Sequence, residues 1–176
     1  MLALTTNAVA PEARADNPNP FVELVDAAAQ RLQTADPVAA FKWQTGAAID
    51  DAGRVRQVLD TVSADATSAG IDPDYVRAVF ADQINATDAI EYARFSEWKL
   101  NPASVPARAP ELSASRAAID ALNHTMVSQL ALHWDALHSP TCATDLGDAV
   151  NVAATARQFD ELYRRALAFA TRSYCR

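Results

Sequence analysis

The chain has 176 residues, 39 of them Ala and only 4 Gly, with 50% hydrophobic and 7% aromatic side chains. That length suits one domain, and so few glycines exclude a β-sandwich or barrel, which needs a turn roughly every 8–12 residues. The balance of 15 basic to 22 acidic side chains leaves a charge of −7, the wrong sign for a general nucleic-acid binder or for adhesion to anionic membranes.

In chain order, Ala13-Arg14-Ala15 before Asp16 has the small-x-small form of a signal-peptidase site. Residues 1–15 are expected to be the remnant of an export signal or a disordered N-terminus, and residues 16–176 the folded domain. Phe21, Leu24, Val25, Ala28, Leu32 and Ala35 then recur every three or four residues, an amphipathic helix. Asp36-Pro37 reads as an N-cap with Pro at the first helical position, so the chain either kinks or restarts there before continuing to Gln44. Thr45-Gly46 ends that stretch. Asp50 or Asp51 caps a helix running to Ala69, with Gly70 as its stop. Asp72-Pro73 opens the next, which extends to Leu100.

Asn101 to Pro110 holds three prolines and returns the chain across the molecule. Ser113 is expected to cap a helix from Ala114 to His138, and the remainder to be helical to Tyr174 with a break near Gly147–Asn151. No apolar run approaches the roughly 18 residues of a membrane span. The expected fold is an all-α, single-domain bundle of five or six helices.

Cys142 and Cys175 are the only cysteines. Buried thiols would be inert in a cytosolic protein, whereas in an exported one they would join, and we expect one Cys142–Cys175 disulfide. With His124, His133 and His138 they show no metal-ligand spacing.

No nucleophile elbow, phosphate loop or triad spacing is visible. Cations set against the acidic trend are the visible chemistry. Lys42 is one of two lysines and is flanked by apolar residues, with Arg31 eleven positions earlier. That is about three helical turns, so a merely kinked helix puts both on one side. Two cations on one face point to an anionic ligand; the alternative is that both snorkel to solvent.

Several segments carry a family resemblance: LVDAAAQRL at 24–32, ADPVAAFKW at 35–43, DAGRV at 51–55, IDPDYV at 71–76, QI at 83–84 through FS at 95–96, WKLNP at 98–102, LSASR at 112–116 and SYC at 173–175. In this order and spacing they resemble the exported, γ-type chorismate mutases of the AroQ class, from about residue 16 to the end. The resemblance implies an all-helical fold and the Claisen rearrangement of chorismate to prephenate, with no cofactor, metal or covalent intermediate. It also implies a secreted or periplasmic location and a homodimer with each active site inside one chain.

By the same resemblance Arg31, Arg54 and Arg116 match carboxylate-binding arginines, whose guanidinium forks suit carboxylates. Lys42 matches the lysine that bridges a carboxylate and the substrate's ether oxygen, and Glu91 the side chain that also reaches that oxygen. Thr87, one turn before Glu91, is expected to bind a carboxylate. Asp51 either orients the substrate hydroxyl or caps the Arg54 helix. Where relatives can carry a polar residue one turn after the arginine matched by Arg54, this chain has Val58.

The three histidines, on one expected helix, read as surface or core residues, Trp43, Trp98 and Trp134 as packing aromatics, Arg164-Arg165 as a solvated face and Asp88 as a surface carboxylate, the alternative being polar support beside the site. A competing reading is a non-catalytic exported helical protein that binds small carboxylates. A disulfide-stapled structural bundle is a third.

Overall fold

The computed structural model describes residues 19–176; the Ala13-Arg14-Ala15 site and the first 15 residues lie outside them. Eight α-helical segments follow, with no strand among the described residues: α1 Val22–Gln33, α2 Ala35–Thr45, α3 Ala52–Ala69, α4 Pro73–Leu100, α5 Leu112–Leu132, α6 Trp134–Leu137, α7 Cys142–Ala156 and α8 Glu161–Ala170. A 3-10 turn at Pro102–Ser104 starts the return strap. Single-residue breaks separate α1 from α2 and α5 from α6, so these pairs act as two long bent helices and the bundle has six rods.

The first bend is a kink and not a restart. Thr34 keeps helical backbone angles, and the Val38 N–H still donates to its carbonyl. Pro37 has no N–H for the Gln33 carbonyl, which opens the ladder at this point. Asp36 and Pro37 therefore lie inside α2, and Thr34, not Asp36, is the boundary residue. The bend keeps Arg31 and Lys42 on one side of the rod.

Three other boundaries differ from expectation. Ser113 caps nothing: extended backbone at Glu111 admits the helix at Leu112. His133 interrupts the long C-terminal rod, so the three histidines are divided among α5, the break and the end of α6. The last break falls at 157–160 and not near Gly147, which sits inside α7. Gln158 takes a left-handed φ of 52°, and the Asp160 carboxylate accepts from the Tyr163 N–H to start α8. Local hydrogen bonding at Asp160 outweighs the roughly 1 kcal/mol that one interior glycine costs.

Small side chains let α1 run through the middle. Leu24, Val25, Ala28, Ala29 and Leu32 are fully buried, facing α5 and α7, with α4 and α8 beside them. The 28-residue α4 spans about 42 Å and is the backbone of the bundle. Trp43, Phe95 and Trp98 pack edge to face under the return strap, and Trp134 packs on Tyr75. All three tryptophans are thus packing residues, and Arg164 and Arg165 are exposed. No helix of the described residues is long and apolar enough to cross a membrane.

The C-terminal strap is tied down at every residue from Arg172. Asp82 accepts from Arg172 and Ser173, the Tyr75 hydroxyl donates to the Tyr174 carbonyl at 2.7 Å, and Cys175 is bonded to Cys142. The crosslink closes a separation of 33 residues, which in the chain-entropy picture is worth roughly 3–4 kcal/mol. Urea titration of a Cys142→Ser/Cys175→Ser chain is expected to show that loss. Undiminished stability, or two alkylatable thiols in oxidised parent protein, would contradict it.

Candidate active site

One cavity of about 610 Å³, its open mouth included, is enclosed by α1 to α5. Every site residue singled out from the sequence lines it: Arg31, Lys42, Asp51, Arg54, Thr87, Glu91 and Arg116. Apart from Asp88 the rest of the wall is apolar, with Val38, Ile49, Val55, Val58, Ile84 and Ile119 among its residues. Val58, only 4% exposed, presents methyl groups where a polar contact was in question.

Arg31 is the deepest cation. Its Nε donates to Asn123 Oδ1 at 2.7 Å and its Nη1 to Thr87 Oγ1 at 3.3 Å, and no carboxylate of the described residues pairs with it. Burial, aided by the repulsion of Arg54, lowers its pKa to about 10, so it stays charged at neutral pH. The snorkelling alternative fails for this residue, which is 4% exposed. It fails for Lys42 as well, whose Nζ donates to Glu91 Oε2 at 2.8 Å and to the Ile49 carbonyl at 2.7 Å.

Glu91 lies one turn past Thr87 and Asp88 on α4 and is buried. Desolvation raises its pKa to about 7, against the opposing pull of the Lys42 ammonium and with Asp88 and Asp50 adding to the rise. Asp88 is not a surface residue: it lines the cavity, and burial raises its pKa too.

The mouth is differently built. Arg54 Nη2 meets Asp120 Oδ1 at 2.5 Å and Nη1 meets Gln57 Oε1 at 3.0 Å. Arg116 Nη2 donates to Asp51 Oδ2 at 3.0 Å, while Asp51 Oδ1 accepts the Arg54 N–H. Asp51 thus caps α3 and faces the cavity at once. The Thr87 hydroxyl donates a hydrogen bond to the Gln83 carbonyl at 2.9 Å and accepts one from Arg31. It can donate to a ligand carboxylate only by rotating away from Gln83.

Asn123 and Asp120 were not picked out from the sequence. The signal was present: 116, 119, 120 and 123 form one stripe of α5, and Asn123 is a polar residue between the inward positions Ile119 and Met126.

A carboxyl held partly protonated by burial, beside an ammonium and facing a buried guanidinium and two further arginines, can grip a compact dianion and stabilise negative charge on an ether or alkoxide oxygen. Residues 22–92 match the family model for chorismate mutase type II. The chain is 55% identical to the secreted chorismate mutase of Mycolicibacterium smegmatis over 99% of its own length and 97% of the relative's. It is 55% identical to that of Mycobacterium tuberculosis over 99% of its length and 88% of the relative's. Its fold is similar to a crystal structure of chorismate mutase from Burkholderia thailandensis, with a TM-score of 0.84 and 31% identity, over 89% of this chain and 99% of that one.

Folding raises the Glu91 pKa from 4.5 to about 7, so unfolding releases a proton between those pH values. Its contribution to stability is full below about pH 4.5 and is lost as pH rises through about 7, a decline on the order of 3 kcal/mol. Denaturant titrations across this window should resolve the decline in the parent and find it flattened in Glu91→Gln. Equal slopes would mean that folding leaves the Glu91 pKa unshifted.

Proposed function

The chain belongs to the secreted chorismate mutases, and from that membership we propose how Arg31, Lys42, Arg54, Thr87, Glu91, Arg116 and Asp51 divide the work. The protein is an exported isomerase that converts chorismate to prephenate. The observation that carries the assignment is the meeting of four cations, from four different helices, in one apolar-walled cavity.

The reaction is an intramolecular rearrangement: a C–O bond breaks as a C–C bond forms, and the electrons move within the substrate. Catalysis is therefore selection of a compact conformer plus stabilisation of the charge that grows on the departing ether oxygen. Arg31 grips one carboxylate from the floor, and Thr87 holds the Arg31 fork. Arg54 and Arg116 bind the other end of the dianion, exchanging Asp120 and Asp51 for substrate. Those outer pairs are partly exposed, so little is lost in breaking them. Asp51, once Arg116 turns to the substrate, accepts the substrate hydroxyl.

Lys42 and Glu91 face the ether oxygen. Glu91 donates only when protonated, and a dianionic substrate holds its proton more firmly still. All of these side chains belong to one chain, which supports a site complete within each protomer of a homodimer. Residues 16–176 act as the single catalytic domain.

Chorismate consumption followed by absorbance tests the assignment. Lys42→Ala is expected to keep its helical spectrum and lose about 10²–10³-fold in kcat; near-parental turnover would remove Lys42 from the mechanism. In the parent, kcat should fall as pH rises through the Glu91 pKa of the substrate complex. Glu91→Gln, whose amide donates at any pH, should lose that fall while keeping substantial activity. An unchanged profile would show that Glu91 is not the titrating donor.

A further inference from the structure

The rim of the cavity is the irregular segment 47–51 between α2 and α3. Two of its ties face the cavity: the Ile49 carbonyl accepts a hydrogen bond from the Lys42 ammonium, and the Asp51 carboxylate accepts one from Arg116. A third tie lies outside. The Tyr92 hydroxyl donates to Asp50 Oδ2 at 2.6 Å, across 42 residues of sequence. Tyr92 is 50% exposed, and neither it nor Asp50 lines the cavity. The ring covers little, so the purpose of this contact is not burial.

We propose that Tyr92 and Asp50 form a latch that positions the catalytic ammonium of Lys42 from outside the pocket. The proposal rests on the roles given above to Lys42 and Glu91. Asp50 is joined by one peptide unit to the Ile49 carbonyl and by the next to Asp51. Fixing Asp50 to α4, at the residue after Glu91, therefore fixes the acceptors of Lys42 and Arg116 relative to Glu91. A lysine on a flexible four-carbon stem is held only by its acceptors. Two of its three protons are committed to Glu91 and Ile49, and their directions set where the third points. If the rim drifts, the ammonium loses the Ile49 acceptor and its third proton is no longer aimed into the cavity.

Asp50 also acts through its charge. Glu91 is surrounded by Lys42 from α2 and Asp88 one turn back on α4, with Arg31 of α1, Arg54 of α3, Arg116 of α5 and Asp51 of the rim lining the same cavity. No residue of α8, which also packs on α4, lines it. Among these groups the cation Lys42 favours ionised Glu91, while Asp88 and Asp50 oppose ionisation.

Tyr92→Phe and Asp50→Asn in the full chain test the latch, with kcat, KM and the pH profile measured beside Lys42→Ala. Tyr92→Phe deletes one exposed hydroxyl and is expected to lower kcat roughly tenfold while KM stays within about twofold. Asp50→Asn should show the same loss and, in addition, an alkaline limb moved to lower pH, because a charge that opposes Glu91 ionisation is gone. Tyr92→Phe keeps that charge, so its limb should not follow the Asn variant's. Parental kcat in Tyr92→Phe overturns the latch, and an unmoved limb in Asp50→Asn overturns its electrostatic half. If Lys42→Ala is inactive while Tyr92→Phe is normal, the latch alone fails; if Lys42→Ala is itself normal, the catalytic assignment fails.

Discussion

Arg31 is buried in an all-helical core with neutral partners only, and the architecture around it follows from that constraint. Taking a guanidinium out of water is costly unless its protons are met. Here Asn123 from α5 and Thr87 from α4 accept them without cancelling the charge. An aspartate at 123 would satisfy the same geometry and neutralise the site. The asparagine keeps the field of Arg31 available to a carboxylate brought from outside, in surroundings of low dielectric where it acts most strongly.

From that floor outward the cations are compensated in a graded way. Lys42 meets a carboxyl that desolvation keeps near neutrality, so the pair is part ion pair and part hydrogen bond. Arg54 and Arg116, nearer water, are fully paired with Asp120 and Asp51. On the proposed assignment, a dianion exchanges with weak outer pairs on entry and gains its strong interaction at depth. A chain with a net charge of −7 can bind an anion only by such local concentration of cations.

Much of this was legible in the residues, for identifiable reasons. The α1 stripe and the Asp51, Asp72, Gly46 and Gly70 boundaries follow from local rules of periodicity and capping, and the structure keeps them. The candidate residues converge because their spacing places them on inward faces of separate helices. Where local rules competed, sequence reading failed. Asp36-Pro37 leaves a kink or a restart open and reads as a cap at Asp36; the backbone stays helical through Thr34, with Ala35 and Val38 buried, so the kink holds and the cap does not. Gly147 looks like a break, yet the Asp160 cap and the turn at Gln158 decide the boundary ten residues on. Asn123 was missed, and Asp88 assigned to the surface in preference to the site, for a different reason: one residue's role depends on a partner 92 positions away, the other's on which face of α4 meets the cavity. Neither is encoded locally.

The most direct test of the central claim is the calorimetric affinity for prephenate, itself a dicarboxylate, of an Asn123→Asp chain against the parent. The substitution leaves shape and helix intact and changes one thing, the charge that faces Arg31. If an uncancelled buried guanidinium draws the dianion in, the variant should bind at least about tenfold more weakly, with its helical fold kept. Equal or tighter binding would contradict the account.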